Sequence, residues 1–238
     1  MNLILLSKED LTDSGKRAVI SGRRYKHIRE FLKPDVGSRL CVGLVDGKIG
    51  DGRVVTLDDR SIELEISLNE DPPKPIPGTL ILAMPRPLVF NRILGHITAL
   101  GIKKIIIIHS GRVEKSYWKS PVLKEENIKA QLVLGLEQAK DTMVPEVSCR
   151  MKFRPFAEDE LPGIVKGARA FVAHPEGASG MLPCGVKGAF TLAIGPEGGF
   201  LPDEVAAFER AGCERVSLGD RILRVETAVV AALGRMIG

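Results

Sequence analysis

The sequence predicts a two-part α/β protein, with a small β-barrel carrying one helix over residues 1–72 and a parallel-sheet α/β domain over residues 73–238. Three observations carry this. Asp71-Pro72-Pro73-Lys74-Pro75-Ile76-Pro77 puts four prolines into six positions. Neither a helix nor a central strand accommodates that, so the segment reads as a stiff linker. Before it, apolar and polar residues alternate strand by strand. After it, β-branched runs alternate with helical periods, the pattern of parallel strands covered on both faces.

The elements follow in chain order. The apolar stretch Leu3 to Leu6 is too short and too poorly flanked for a secretory leader. Ser21 is a plausible N-cap for a helix that places Tyr25, Ile28 and Leu32 on one face, its other face being basic. Arg39 to Asp46 reads as a strand, and Asp46-Gly47 as the hairpin turn that ends it. Ile62, Leu64, Ile66 and Leu68 alternate with Glu63, Glu65 and Ser67, which gives a strand with one wet face. Beyond the linker, strands are expected at Leu80 to Ala83, Lys104 to Ile108, Val144 to Cys149, Ala170 to Ala173, Phe190 to Ile194 and Arg215 to Leu218. A helix from Glu125 to Lys140 carries Ile128, Leu132, Leu136 and Ala139. The last helix follows Arg224, with Val225, Ala228, Val229, Ala232, Leu233 and Met236 on one stripe.

Composition narrows the class. The 238 residues are 44% hydrophobic and 27% charged, which suits an ordinary globular protein and argues against disorder. No apolar run approaches the ~18 residues of a membrane span. Cysteines at 41, 149, 184 and 213 contain no Cys-x-x-Cys pair, so free thiols in the cytoplasm are expected. Histidines 27, 96, 109 and 174 lack metal-ligand spacing, and no metal is expected.

The net charge of 34 − 30 = +4 matters less than its distribution. Seven bases against Glu30 fall between Lys16 and Lys33, among them Arg23, Arg24, Lys26 and Arg29. Seven more against Glu114 fall between Met84 and Ser120, among them Arg86, Arg92, Arg112 and Lys115, alongside Tyr117 and Trp118. Basic segments with aromatics suit an RNA backbone and its bases, although on charge alone a pair of solvated faces is the commoner explanation.

Two loops stand out for chemistry. Ile194-Gly195-Pro196-Glu197-Gly198-Gly199-Phe200 lies at the carboxyl end of an apolar strand, where ligands bind in open α/β sheets. Its glycine spacing is wrong for a dinucleotide cradle. Glu197, Asp203 and Glu204 would repel a pyrophosphate, so a cofactor without phosphates matches better. The second loop, Leu218-Gly219-Asp220-Arg221-Ile222-Leu223-Arg224-Val225-Glu226-Thr227-Ala228, also joins a strand to a helix and is dense in charge. An ion-pair network is its bland alternative. His109 and His174 each end an apolar strand and could face a cleft. A Gly-x-Ser-x-Gly elbow, a phosphate-binding lysine loop and a His-Glu-x-x-His helix are all missing from the sequence.

Together the two loops resemble the signature of the RsmE family, SPOUT-superfamily methyltransferases that act on N3 of a uridine in 16S ribosomal RNA. The similarity runs over the whole chain, and Gly22-Arg23-Arg24-Tyr25-Lys26-His27-Ile28-Arg29 resembles the family's basic helix. The resemblance implies a PUA-like RNA-binding barrel over 1–72 and a SPOUT methyltransferase domain with a trefoil knot over 73–238. It further implies a homodimer in the cytoplasm, S-adenosyl-L-methionine as methyl donor, and 16S ribosomal RNA or the small ribosomal subunit as partner. The cofactor residues it implies are His174, Ile194, Gly195, Pro196, Glu197, Gly198, Leu218, Gly219, Ile222, Leu223, Arg224 and Thr227.

For the chemistry, Arg224 is the expected donor to O2 or O4 of the uracil, and Glu197 and Glu226 are both candidates to orient the base or take its proton. RNA contacts are expected from Arg23, Arg24, Lys26, Arg29, Arg86, Arg92, Arg112 and Lys115. Two segments depart from the family pattern. Pro85-Arg86-Pro87-Leu88-Val89-Phe90-Asn91-Arg92 stands where many members carry a Lys-Gly-Asp-Arg type run, and Glu137-Gln138-Ala139-Lys140-Asp141-Thr142 lacks the usual arginine downstream. A family member with another RNA target, a non-catalytic RNA-binding module and a nucleotide-dependent oxidoreductase are the competing readings.

Overall fold

The computed structural model describes residues 2–238. The chain divides into two compact units, residues 1–74 with 133–144, and residues 75–132 with 145–238.

The first unit is built on six strands: β1 (Ile4–Leu6), β2 (Leu11–Thr12), β3 (Arg17–Ser21), β4 (Arg39–Leu44), β5 (Ile49–Leu57) and β6 (Ser61–Glu70). They form one sheet in the order β1-β4-β5-β6-β3-β2, antiparallel except for the β1–β4 pair. The β4–β5 hairpin turns at Asp46-Gly47, with Asp46 in the left-handed region at φ 54°. Along β6, Ile62 and Leu64 are buried while Glu63 and Glu65 are not, as alternation requires. These side chains share a core with Ile4, Leu6, Ala18, Ile20, Val42 and Val54.

Helix α1 (Gly22–His27) starts after Ser21, whose side chain makes no capping bond, and it adds Tyr25 to that core. It runs on as a π turn over Ile28–Leu32, closed by the Lys33 N–H on the Ile28 carbonyl at 2.9 Å. Ile28 is buried but Leu32 is 40% exposed, contrary to the sequence expectation. The wider π turn rotates Leu32 off the stripe that a regular helix would give it.

Residues 133–144 enter this unit from helix α3 (Glu125–Ala139). Leu136 is buried with Leu3, Leu5 and Ile49, and the Glu137 carbonyl accepts from the N–H groups of Asn2 (3.1 Å) and Leu3 (3.0 Å). Glu137 is 2% exposed. Burial pushes its carboxyl above the usual range, against the opposing pull of Arg23, the Leu5 N–H and Arg24.

The second unit carries β7 (Ile76–Ala83), β8 (Ile102–Ile108), β9 (Glu146–Arg150), β10 (Arg169–Ala173), β11 (Gly180–Met181), β12 (Phe190–Ile194) and β13 (Glu214–Ser217). All pairs are parallel, in the order β11-β13-β10-β12-β7-β8-β9. Every residue of β12 is buried, as in a sheet covered on both faces. The covering helices are α2 (Pro87–Ala99), the short α4 (Phe153–Pro155) and α5 (Leu161–Val165), α6 (Pro202–Arg210) and α7 (Val225–Ile237). Proline opens both α2 and α6, where a missing N–H loses no helical bond.

Strand β13 inserts between β10 and β11, which are neighbours in sequence. The connecting stretch stays bonded to β13, through His174 N–H on the Val216 carbonyl, Ser179 N–H on Arg215 and Leu182 N–H on Ser217. Among the described residues, no helix is long and apolar enough to cross a membrane, and no cluster of side chains could hold a metal ion. The four cysteines are free thiols.

Candidate active site at the strand ends of the parallel sheet

Strands β12, β10 and β13 are adjacent and parallel, so Ile194, Ala173 and Ser217 come to one edge of the sheet. The loops that leave these ends enclose a cavity of about 330 Å³. This is the carboxyl edge, the side of an open α/β sheet on which ligands bind. A larger groove of about 580 Å³ runs between residues 153–162 and α6, lined by Phe153, Arg154, Glu158, Asp203 and Arg210. No strand end reaches that groove, so the smaller cavity is the better candidate.

The first wall is the loop 194–200. It folds back tightly: the Gly199 N–H donates to the Pro196 carbonyl at 2.8 Å, and a Cβ on Gly195 would lie 2.9 Å from the Phe200 nitrogen. Only glycine fits Gly195 without moving backbone. Glu197 is exposed on this wall, its Oε1 accepting from the Arg86 N–H at 3.0 Å.

A second wall comes from the segment after β8. Glu204, 6% exposed in the first turn of α6, accepts from the Gly111 N–H at 2.7 Å through Oε1 and from the Leu201 N–H at 2.8 Å through Oε2. A Cβ on Gly111 would sit 2.4 Å from Leu201 Cδ1, so a larger residue there would have to displace the Leu201 side chain. This clamp delivers Arg112, whose Nη1 donates to the Gly198 carbonyl. Nearby, the Trp118 indole N–H donates to His109 Nδ1 at 2.7 Å, and the Tyr117 hydroxyl donates to Glu114 at 3.2 Å. Desolvation, and then the Glu114 carboxylate, hold the Tyr117 hydroxyl above its ordinary pKa, so it stays protonated at neutral pH.

The third wall is the loop 217–223. The Gly219 N–H donates to Ser217 Oγ at 3.0 Å, which shapes the exit from β13. Leu218, Gly219, Arg221, Ile222, Leu223, Val225 and Ala228 line the cavity, and Ile222 is 93% exposed at its mouth. The β10 loop adds His174, Pro175 and Glu176; His174 Nδ1 lies 3.2 Å from the Glu176 nitrogen and 3.1 Å from the Glu176 carbonyl oxygen, which orients the ring.

Of the residues expected from sequence to hold a cofactor, His174, Ile194, Gly195, Pro196, Glu197, Gly198, Leu218, Gly219, Ile222 and Leu223 line this one cavity. Arg224 and Thr227 do not. Arg224 is the exposed N-cap of α7, and Glu226 and Thr227 lie in its first turn, outside the residues that line the cavity. Of the expected RNA contacts, Arg23, Lys26, Arg29, Arg86, Arg92, Arg112 and Lys115 are exposed. Two are not free. Arg24 is half-buried and bound to both oxygens of Asp10 (2.7 and 2.6 Å) and to the Leu5 carbonyl (2.9 Å), while Arg112 belongs to the cavity wall. A run of bases in sequence does not show which of them meets an acceptor. Glu176 could have been found from its place just past a parallel strand end, but nothing local to Arg112 announces Gly198.

Residues 72–237 match the family described as RNA methyltransferase domain. Over 238 residues the chain is 28% identical to Ribosomal RNA small subunit methyltransferase E of Treponema pallidum, covering 98% of this chain and 89% of that one. With the protein of the same name from Mycobacterium bovis it shares 24% identity, over 98% and 91% of the two chains. Its fold is that of Ribosomal RNA small subunit methyltransferase E from Neisseria gonorrhoeae, solved bound to S-adenosylmethionine, with a TM-score of 0.73 at 21% identity over 98% and 95% of the chains. A Legionella pneumophila protein solved with the same cofactor gives 0.74 at 20% identity, over 98% and 95%. With a family match over more than half its length and a glycine-walled cavity at the strand ends inside that match, the chain belongs to the RNA methyltransferase domain family.

Proposed function

We propose that this chain transfers a methyl group from S-adenosyl-L-methionine to N3 of a uridine in 16S ribosomal RNA. One observation carries the reading: three parallel strand ends and two glycine-bearing loops converge on a single small cavity. Its lining suits this cofactor. Ile194, Leu218, Leu223 and Ala228 offer apolar surface, and Gly195 lets the loop fold back on Gly199 and Phe200 to close that wall. Glu176 and Glu197 favour a cationic ligand over a pyrophosphate, and Arg112 and Arg221 can meet a carboxylate. When bound, S-adenosylmethionine supplies a methyl group activated by a sulfonium. The names of the Treponema and Mycobacterium relatives support small-subunit ribosomal RNA as acceptor.

The chain's own residues then have separable tasks. Most of the acceleration comes from alignment and exclusion of water by the three walls. N3 of a paired uridine is hidden, so the base must be unpaired or flipped out. Arg224 is exposed between Leu223 and Val225 of the wall, and is assigned to the substrate, donating its planar fork to O2 or O4 as charge develops there. Between Glu197 and Glu226, the cavity favours Glu197 as the group that orients the base or takes the N3 proton, since only Glu197 lines it.

The same reading extends to architecture. Insertion of β13 between β10 and β11, together with the N–H groups of Gly185 and Val186 donating to the carbonyls of Arg235 and Met236, supports a trefoil-knotted C-terminal domain over 73–238. The six-stranded sheet supports a PUA-like RNA-binding barrel over 1–72. Val230 and Ala231, exposed on α7, support a homodimer. Cytoplasmic work on ribosomal RNA agrees with four free thiols.

The test is incorporation of a labelled methyl group into small ribosomal subunits or 16S RNA, with reverse transcription to locate it. Label together with a transcription stop is expected, because N3 methylation spoils pairing. A folded chain that binds no S-adenosylmethionine by calorimetry would refute the activity; label without a stop would move the methyl group off N3.

A further inference from the structure

We propose that Phe31 in the first unit is a stacking platform for a base of single-stranded RNA, with Lys26, Arg29 and Lys33 as its phosphate contacts. This rests on the RNA methyltransferase reading and names where the first unit grips the strand. Phenylalanine is ordinarily an interior residue, yet Phe31 is 70% exposed. Its ring is not loose. It stacks on the His27 imidazole, with centroids 4.6 Å apart and planes at 26°. One face is thus supported and the other open. His27 is itself packed in, its Nε2 buried without a hydrogen-bond partner among the described residues.

The mount beneath is rigid. Tyr25 and Ile28, on the same helical run, sit in the core of the unit, and the Tyr25 hydroxyl donates to the Asp58 carbonyl. The π turn that carries Phe31 ends at Lys33, in the left-handed region at φ 46°. A preorganised aromatic with two side-chain torsions loses little entropy when a ligand covers it.

Charge selects the occupant. Arg24 is spent on Asp10, and Arg23 lies 4.0 Å from Glu137. Lys26, Arg29 and Lys33 are exposed and have no ion-pair partner among the described residues, while Glu30 is the one acid between them. Exposed aromatic surface beside unpaired cations is how proteins hold single strands, the ring taking a base and the cations the backbone. A duplex keeps its bases stacked on each other and offers this ring nothing.

The experiment uses the full chain, a fluorescent short oligouridylate, and an abasic strand of equal length, with affinity measured across a salt series. Wild type should prefer the base-bearing strand. Phe31→Ala should weaken it about tenfold, remove that preference, and leave the salt slope unchanged. Phe31→Tyr should restore binding and Phe31→Leu should not, which separates stacking from apolar contact. Replacing Lys26, Arg29 and Lys33 by Gln should lower the slope by about 0.7 for each lost phosphate contact. If Phe31→Ala binds as wild type does while the Gln variant loses slope, the stacking platform is wrong and RNA binding by this unit stands. If Phe31→Ala alters the mass seen by light scattering but not RNA affinity, the ring is a protein contact and the proposal is overturned. If wild type binds no strand yet methylates ribosomal subunits, the proposal fails alone; if it does neither, the reading beneath it fails as well.

Discussion

The basic helix of the first unit and the cavity loops of the second are both charge-dense in sequence, and folding splits the cations of each into tied and free. In the helix, Arg24 is tied to Asp10 and Leu5 while Lys26 and Arg29 stay exposed. In the loops, Arg112 is tied to the Gly198 carbonyl while the Arg224 side chain has no hydrogen-bond or ion-pair partner among the described residues. The tied members differ in what they hold. Arg24 closes a half-buried ion pair at the edge of a core, which is a matter of stability. Arg112 fixes a wall of the cavity, which is a matter of ligand binding. A guanidinium is read from the acceptors it meets, not from its neighbours in sequence.

The comparison breaks most visibly at Arg224. Arg224→Ala should lower turnover by about 10²–10³, and Arg224→Lys nearly as much because lysine lacks the fork. Calorimetric affinity for S-adenosylmethionine should hardly change, since the side chain is off the cavity wall. Full turnover in either variant would remove Arg224 from the reaction.

Next comes the clamp behind Arg112. Glu204→Ala strips the acceptor from two backbone N–H groups and should cost about 3 kcal/mol in urea unfolding. Cofactor affinity should fall with it, because the loop that carries Arg112 is released. Glu204→Gln keeps the volume and one acceptor, so its loss should be smaller.

Arg24→Ala should cost about 2 kcal/mol and leave cofactor affinity intact, which is the contrast with Arg112. It also has a pH signature. Burial alone would raise the Asp10 carboxyl, but Arg24, the Ser7 N–H and the Ser7 hydroxyl together hold it below the usual range. A depressed folded pKa gives stability that is present above the unfolded value of about 3.9 and is lost as pH falls through the folded one. The gap in urea midpoint between wild type and Arg24→Ala should therefore narrow on acidification below that range. A gap that widened there would put the stabilisation elsewhere.

The smallest effect is at Lys26. Lys26→Gln should reduce the salt slope of RNA binding by about 0.7 with no change in thermal stability. An unchanged slope would make Lys26 a solvated surface charge.

Local pattern made much of this molecule legible. Strand β12 occupies the predicted Phe190–Ile194, α7 begins at Val225 after Arg224, and the β4–β5 hairpin turns on Asp46-Gly47, because periodicity and turn chemistry act within a few residues. Both loops that line the cavity were visible for the same reason, each being a glycine-bearing exit from an apolar strand. What the sequence alone could not determine is non-local. Residues 133–144 join the first unit because Leu136 finds Leu3 and Ile49, and no boundary signal precedes them. Strand β13 slots between β10 and β11, two strands that follow each other in the chain. Arg112 reaches a carbonyl 86 residues away, and Arg24 meets an aspartate that lies outside its own helix. Leu32, helical in period, leaves the core because a π turn intervenes. Each of these outcomes depends on which acceptor or apolar surface is brought near when distant segments close on one another, and that proximity exists only in the folded chain.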